Sequence, residues 1–273
     1  ENMQTDRRNT ERKAGSDRRR SAFGRRAGEV MIHRLVNLGI ALSSERNFDR
    51  LLEMILLEAK NLCNADGGTL YLVTEAGDGL SFAIMRNDTL DIAMGGTTGK
   101  AIPFPPVPLY RDGEANLNNV GSAVYHNQVV SSIDDAYEVE EYDFSGTKKF
   151  DESTGYRSKS FLTVPMINNA DEVIGVLQLI NARNDKGETI HFHPSIQPVI
   201  EALTSQAAVA LENQNLIKAQ QGMWNSLIEM LASSIDDKSP YTGGHCQRVP
   251  VIAKLLASAA CDNQDGMFAD FDL

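Results

Sequence analysis

Long apolar runs are missing from this sequence of 273 residues. The longest, Phe161–Val164 and Val173–Ile180, have the length of strands, whereas a membrane-spanning helix needs ~18–20 consecutive apolar residues. The first 30 residues are rich in arginine and lack the apolar stretch of a secretory signal peptide. We therefore expect no membrane span, no signal peptide and a cytoplasmic location.

Cysteine and the short catalytic signatures are scarce too. Cys63, Cys246 and Cys261 show no CxxC spacing, which argues against a disulfide framework and fits a reducing compartment. No GxSxG or GxGxxG pattern is present, and Gly95–Lys100 lacks the glycine and lysine spacing of a phosphate-binding P-loop. These signatures therefore identify no catalytic site.

Charge is unevenly distributed along the chain. The net charge is −11, yet residues 1–26 contain nine Arg or Lys and four Asp or Glu, so the remainder carries −16. Such an acidic body does not fit a nucleic-acid-binding protein. Residues 1–28 form a basic N-terminal arm, either a docking segment or a solvated tail, and their composition favours the tail.

Periodicity predicts the order of the elements that follow. Met31, Leu35, Leu38 and Leu42 recur at helical spacing, and Asn47 is expected to cap a second helix. Strand patterns and a short helix come next, at residues 69–74, 80–85, 122–127 (the helix), 129–133, 160–167 and 172–181. The proline-rich segment 87–119 is expected to be a functional or mobile loop, and a long helix follows Pro194. Hairpins with helices at both ends predict an α+β fold with an antiparallel sheet.

Several segments in this order resemble the GAF domain family, the sensory modules of phosphodiesterases, phytochromes and bacterial regulators. The segments that carry the resemblance are Asp134–Tyr137, Lys149–Asp151, Thr154–Met166, Val173–Asn181 and Ser205–Asn213. The resemblance implies one sensory domain over residues 29–220, with a GAF-like antiparallel sheet flanked by helices.

The same resemblance implies a ligand pocket on one face of the sheet. The residues that it implies for ligand binding are Thr97, Thr98, Asp134, Asp135, Tyr137, Thr154 and Tyr156. An empty pocket is the alternative. The family's cyclic-nucleotide-binding members carry a scattered Asn-Lys, Phe and Asp-Glu motif, which Asn181 and Phe192 match but Ala182 and Ile196-Gln197 do not. We therefore expect cyclic AMP and cyclic GMP to bind weakly or not at all.

A second resemblance lies near the end of the chain. Ile235–Val249, in which Pro240-Tyr241-Thr242 precedes His245, is similar to the opening of the HD-GYP cyclic-di-GMP phosphodiesterase family, a group of hydrolases. In that family this histidine ligates an iron or manganese centre, so the resemblance implies His245 as a metal ligand. Residues 221–273 are expected to be a truncated, all-α start of such a domain. The remaining ligands would lie beyond Leu273, so we expect His245 without metal, and no cofactor, catalytic residue or hydrolysis in this chain.

The last helix carries a seven-residue repeat. Its apolar row is Leu203, Ala210, Ile217, Trp224 and Leu231, and its companion row is Ala207, Gln214, Gln221 and Ile228. A seam that is polar in its middle suits a signalling helix that shifts between two packings. We expect a parallel homodimer through the first and last helices, with a helix docked on its own domain as the alternative.

Three functions remain open at this point. The favoured one is a regulatory GAF dimer that senses a small molecule or a partner and passes that state to a phosphodiesterase output. The second is a metal-dependent hydrolase acting by itself, and the third is a dimerisation scaffold with an empty pocket. A ligand found in the pocket separates the first from the third.

Overall fold

A computed structural model describes residues 33, 35–237 and 245–262, without the side chains of residues 235–237 and 245–247. The chain divides into two compact units, the first ending at Gln214 and the second beginning at Asn215. Each unit is described by itself below.

Two helices open the first unit. Helix α1 covers residues 35–44, and helix α2 covers Phe48–Cys63. Asn47 caps α2 as predicted, because its side chain accepts a hydrogen bond from the backbone N–H of Arg50 at 3.0 Å. At the other end, Asn64 adopts a left-handed conformation (φ 49°) and its N–H returns to the carbonyl of Lys60.

One large sheet forms the centre of the first unit. The strands are β1 Ala65–Val73, β2 Gly79–Asn87, β3 Ile92–Gly95, β4 Val107–Pro108, β5 Tyr110–Arg111, β6 Glu114–Ala115, β7 Ser131–Ile133, β8 Phe161–Ile167, β9 Val173–Arg183 and β10 Thr189–Ile190. The sheet order is β3-β2-β1-β9-β8-β7, with β4 paired to β2 and β10 to β9. Strands β5 and β6 form a separate hairpin. Every pairing in the large sheet is antiparallel, so the predicted α+β fold is confirmed.

The remaining helices differ in how well the sequence predicted them. They are α3 Val120–Asn127, α4 Ser145–Thr154, α5 Gln197–Asp237 and α6 His245–Cys261. The short helix α3 and the long helix α5 were expected, whereas α4 was not. The segment 87–119 is also more ordered than its composition indicates, because it contains four short strands and the 3-10 turn Gly96–Thr98.

The main core lies on one face of the sheet, under helices α1, α2 and α5. Leu70 and Leu177, opposite each other on β1 and β9, are fully buried against these helices. A smaller cluster around Tyr71 and Val176 lies on the other face, since neighbouring residues of a strand point to opposite sides. The second face is the one that opens toward α3 and the proline-rich loop.

The first helix corrects the sequence interpretation of its apolar stripe. Leu38 and Leu42 are buried in the core of their own unit, so reading them as an exposed dimer surface was wrong. Gly39 of α1 lies against α5, because a Cβ atom at this position would clash with the side chain of Gln206. Leu203 and Ala210 of the seven-residue row are buried in the same core. Met31 lies outside the described residues.

The second unit differs from the first in that its large apolar side chains are exposed. It contains the part of α5 from Asn215 onward and helix α6. Its large apolar side chains are exposed, and they are Leu216, Ile217, Met223, Trp224, Leu227, Ile228, Met230, Leu231, Val249, Val251, Ile252, Leu255 and Leu256. None of the helices described here combines the length and hydropathy that crossing a bilayer would require.

Candidate functional site

A cavity of about 520 Å³ lies on the second face of the sheet. Its floor comes from β1, β2 and β9, through residues such as Thr69, Tyr71 and Gln178. These alternate with Leu70 and Leu177 of the main core, which places the cavity on the side away from α1, α2 and α5. The walls come from the proline-rich loop and from the first turns of α3 and α4. Its volume is within the ~300–1,000 Å³ of typical ligand sites.

Aromatic side chains form one wall of the cavity. Phe82 lies 4.8 Å from Tyr71 and 5.4 Å from Phe104, measured between ring centroids. Phe104 lies 6.4 Å from Phe150 in an edge-on arrangement. Rings at these spacings pack against one another and give the cavity an apolar, aromatic wall.

Tyr156 enters the cavity from the segment before β8 and is held by a buried polar network. Its hydroxyl donates to Asp66 and accepts a hydrogen bond from Asn181 Nδ2 at 2.9 Å. Burial, followed by the hydrogen bond to Asp66, raises the pKa of Tyr156, so the hydroxyl stays protonated. Asp66 is balanced by Arg183 at 2.5 Å. These contacts fix the ring orientation and use the hydroxyl's hydrogen-bonding capacity.

Asn181 also organises the backbone at this point. Its Oδ1 accepts hydrogen bonds from the N–H groups of Lys159 at 2.7 Å and Ser160 at 3.2 Å. Asn181 itself adopts a left-handed conformation with φ 57°. The asparagine that matches the cyclic-nucleotide motif therefore positions the segment that carries Tyr156.

Thr97 and Thr98 lie in the 3-10 turn after β3 and are not among the residues that line the cavity. Thr97 donates to Glu53 on α2, which also pairs with Arg86 at 2.5 Å. The hydrogen bonds from Thr97 and Arg86 hold the pKa of Glu53 below its usual value. Thr98 donates to the carbonyl of Gly95 at 2.8 Å.

The acidic and aromatic residues of the predicted site form a cluster near the surface instead. Asp135 pairs with Arg157 at 2.7 Å, and the Arg157 guanidinium lies 3.3 Å from the centroid of the Tyr137 ring. Tyr137 donates to Asp151 at 3.0 Å. The remaining two are exposed, and they are Asp134 and Thr154. Of the seven predicted ligand residues, Tyr156 lines the cavity, and ligand binding by all seven stays a prediction.

Sequence reasoning missed most of the cavity wall. Phe104 and Asn116 belong to the segment 87–119, which its prolines marked as functional without indicating which side chains matter. Asn116 is 3% exposed, and its Nδ2 donates to the carbonyl of Pro108 at 2.7 Å. No periodic or motif signal identifies either residue, because their placement depends on pairing of β4 with β2.

The predicted metal ligand His245 is the first residue of α6, and its side chain lies outside the described part of the chain. The Pro240-Tyr241-Thr242 segment lies outside it as well. Within residues 33, 35–237 and 245–262, no group of three or more His, Cys, Asp or Glu side chains is arranged to hold a metal ion.

Comparison with known families identifies the family to which the first unit belongs. The family model described as GAF domain matches residues 47–211, more than half of the chain. The chain belongs to the GAF domain family. The match begins at the α2 cap and ends on α5, inside the unit that closes at Gln214.

Relatives of this GAF protein are distant. A dual 3',5'-cyclic-AMP and -GMP phosphodiesterase 11A from Takifugu rubripes is 24% identical over 205 residues. That match covers 72% of this chain and 21% of the relative, so the chain spans about a fifth of the relative's length.

Two solved structures are similar to this chain at low sequence identity. The GAF domain of a phosphoenolpyruvate-protein phosphotransferase from Coxiella burnetii is 13% identical with a TM-score of 0.49, covering 71% of this chain and 96% of that one. A GAF domain/HD domain protein from Geobacter sulfurreducens is 15% identical with a TM-score of 0.45, covering 64% of this chain and 98% of that one.

Proposed function

We propose that this chain is the sensory module of a bacterial signalling protein, whose GAF cavity binds a small molecule. The observation that carries the proposal is the cavity of about 520 Å³ on the second face of the sheet. A concave site with an aromatic wall and a few fixed polar groups is the usual form of a small-molecule site. Tyr156 lines this cavity, and Asp66 and Asn181 hold its ring in one orientation.

The cavity wall is built from elements that a ligand can reposition. Strand β4 has two residues and pairs with β2 through Val107 and Pro108 alone. Phe104 extends from this segment over Phe82 and Phe150. In the proposed mechanism, a ligand binds more tightly when the β4 segment packs over it than when that segment is displaced. A difference in affinity between two states is what allows a ligand to shift their populations.

The proposed output is the HD-GYP-like segment at residues 221–273. The sequence pattern before His245 supports this assignment, and the parent protein would then be a cyclic-di-GMP phosphodiesterase that depends on iron or manganese. Helix α5 extends into that segment, and its row of Ile217, Trp224 and Leu231 is exposed. We propose that this row forms the seam of a parallel homodimer and carries the ligand state.

Cyclic nucleotides are not the proposed ligands, although a relative is a cyclic-nucleotide phosphodiesterase. Ala182 stands at the lysine position of the family motif, and its neighbour Arg183 is engaged with Asp66. A calorimetric dissociation constant below about 1 μM for cyclic AMP or cyclic GMP, some −8 kcal/mol, would contradict this part of the proposal.

Native mass spectrometry of the purified chain tests the proposal, because it reports bound small molecules and oligomeric state together. We expect a bound molecule whose occupancy falls in the Phe104→Ala variant. Tyr110→Ala is the matched control, since Tyr110 is an exposed aromatic residue of the same segment that packs on His126 rather than on the cavity. Equal loss in both variants, or no ligand under any native condition, would contradict a sensory cavity.

A dimerisation scaffold with an empty cavity is the second candidate function. The exposed apolar residues of α5 and α6 favour it, because a large apolar surface on a protein marks an interaction site. The same spectrum separates the two functions. A dimer without ligand, whose mass does not change when cell extract is added, supports the scaffold.

A further inference from the structure

A second concave site lies at an open edge of the large sheet. Strand β7 is the last strand in the sheet order, so within the described residues no strand pairs with its outer side. A pocket of about 280 Å³ borders this edge, between β7 and α3, and shares no lining residue with the larger cavity. Its lining includes Ala123, Val124, Val129, Val130, Ser132 and Tyr142.

This pocket has the size and surroundings of a site for one side chain of a bound peptide segment. A cavity of ~150 Å³ already holds a benzene molecule, so the space is sufficient for a phenyl ring. Val129 at its margin is 64% exposed. A peptide that lies along an open strand edge and places a side chain in an adjacent pocket is a recurrent mode of recognition.

The loop that joins the two sides of the pocket is strongly acidic. It leads from Ile133 at the end of β7 to Tyr142 in the pocket wall and contains no Lys or Arg. Asp135 within it is paired with Arg157. Four further carboxylates are exposed and form no ion pair within the described residues, and they are Asp134, Glu138, Glu140 and Glu141. This margin favours a basic partner.

The chain itself contains a segment with the complementary chemistry. Residues 18–26 of the basic N-terminal arm have the sequence RRRSAFGRR, with five arginines and no carboxylate. Phe23 is the sole aromatic residue among residues 1–28, and arginines stand on both sides of it. The segment therefore offers one large apolar side chain for the pocket and positive charge for the acidic loop on either side.

The connection along the chain is long enough for the arm to reach this edge. Nine residues along the chain lead from Arg26 to Leu35 in α1, a reach of up to ~30 Å. Leu35 and Val130 of the pocket wall both pack against the main core. A domain of this size has a radius of gyration of ~16 Å, so the reach is comparable with the width of the domain.

We propose that residues 18–26 of the chain's own N-terminal arm dock at the β7 edge. Phe23 occupies the pocket, and the arginines on both sides of it lie against the acidic loop between Ile133 and Tyr142. The docked arm covers the open edge and thereby prevents β7 from pairing with another chain. This interaction is independent of the ligand cavity.

Disulfide trapping in the full chain tests the docking. Ala22→Cys is combined with Ser132→Cys, an exposed position of β7 that lines the pocket, so Phe23 and the arginines are kept. The control combines Ala22→Cys with Val36→Cys, because Val36 is 52% exposed and much nearer to Ala22 along the chain. An undocked arm should form the control crosslink faster, since a shorter loop closes more easily. Docking should instead make the crosslink to Ser132→Cys about tenfold faster than the control, as peptide mass spectrometry measures.

The charge complementarity is tested on the same cysteine pair. Glu140→Gln together with Glu141→Gln should slow the crosslink to Ser132→Cys about threefold, and about 0.5 M NaCl should also slow it, because both weaken the attraction of the arginines. Glu75→Gln together with Glu114→Gln is the matched control, made at two exposed positions outside the acidic loop, and should leave the rate unchanged.

Hydrogen exchange covers the case in which a cysteine pair does not fold. A peptide that contains β7 should exchange about fivefold faster in the Phe23→Ala chain than in the wild type. Met3→Ala, made in the same arm outside residues 18–26, should leave this exchange unchanged. Equal exchange in all three chains, a faster crosslink to Val36→Cys, or crosslinks found only between two chains would overturn the docking of the chain's own arm.

Discussion

The two halves of helix α5 carry one seven-residue row, yet they have opposite surroundings. Leu203 is fully buried in the first unit, whereas Ile217, Trp224 and Leu231 in the second unit are exposed by 46%, 54% and 56%. Sequence spacing treats these positions as equivalent, but burial does not. The row therefore has two roles: residues before Gln214 pack in the core of the GAF unit, and residues after it are exposed and available to a partner.

The boundary between the two roles has a specific contact. Gln214 is buried and donates from its side chain to the carbonyl of Glu45 at 2.6 Å, just after α1 ends. This contact ties α5 to the segment that joins α1 and α2. Gln214 belongs to the companion row of the expected dimer seam, and its burial within the GAF unit shows that placing it in the seam was wrong.

The largest effect is expected from truncating the buried end of the row. Leu203→Ala should lower the free energy of unfolding by ~2–5 kcal/mol, because it removes packed methyl groups and leaves a cavity. Leu231→Ala, made four heptads later at an exposed site, should change it by no more than ~0.5 kcal/mol in dilute solution. Chemical denaturation followed by circular dichroism measures both, and equal losses would mean that the two halves of α5 do not differ.

A smaller effect should come from the boundary itself. Gln214→Leu should destabilise the first unit by about 1–2 kcal/mol, since the carbonyl of Glu45 loses its donor. Gln221→Leu is the matched control one heptad later, where the side chain is exposed. The control should keep the unfolding free energy and strengthen self-association. A stable Gln214→Leu variant that self-associates more tightly would mean that Gln214 does belong to the dimer seam.

The alkylation rate of the Cys63 thiol reports how well helix α2 is packed in the first unit, and it needs no substitution. Burial raises the pKa of Cys63 to about 12, well above the value of a free thiol. Because the thiolate is the reactive form, iodoacetamide at pH 8 should alkylate it about a thousandfold more slowly than in the denatured chain. The rate should rise about tenfold per pH unit up to that pKa. Peptide mass spectrometry gives the rate, and equal rates in folded and denatured protein would contradict the packing of α2.

Local signals predicted the frame of the fold well. The cap at Asn47 and the apolar pattern of residues 160–167 and 172–181 correspond to α2, β8 and β9 within a few residues. These features depend on short-range chemistry, namely capping and hairpin spacing. Helix α4 was not predicted, because its sequence, SGTKKFDEST, is polar and lacks an apolar stripe. Its one buried residue is Asp151.

The candidate site was harder to predict because long-range pairing assembles it. Tyr156 was identified from the family resemblance and lines the cavity, while Asp135 and Tyr137 instead contact Arg157 outside it. Asn116 is buried where its Nδ2 donates to the carbonyl of Pro108 on β4, a long-range arrangement that no sequence spacing reveals. The buried part of the seven-residue row was misassigned for a similar reason, since periodicity does not distinguish packing on the same domain from packing on a partner.

The most direct test of this two-role account is sedimentation equilibrium of the wild type and of Trp224→Ala. The account predicts a wild-type dimer at concentrations on the order of tens of micromolar, and a dissociation constant raised about thirtyfold by Trp224→Ala, the effect of removing a ~2 kcal/mol interface residue. Leu203→Ala serves as the stability control, since its residue belongs to the buried part of the row. A monomeric wild type at these concentrations, or a dimer that Trp224→Ala leaves unchanged, would contradict the exposed half of α5 as the seam.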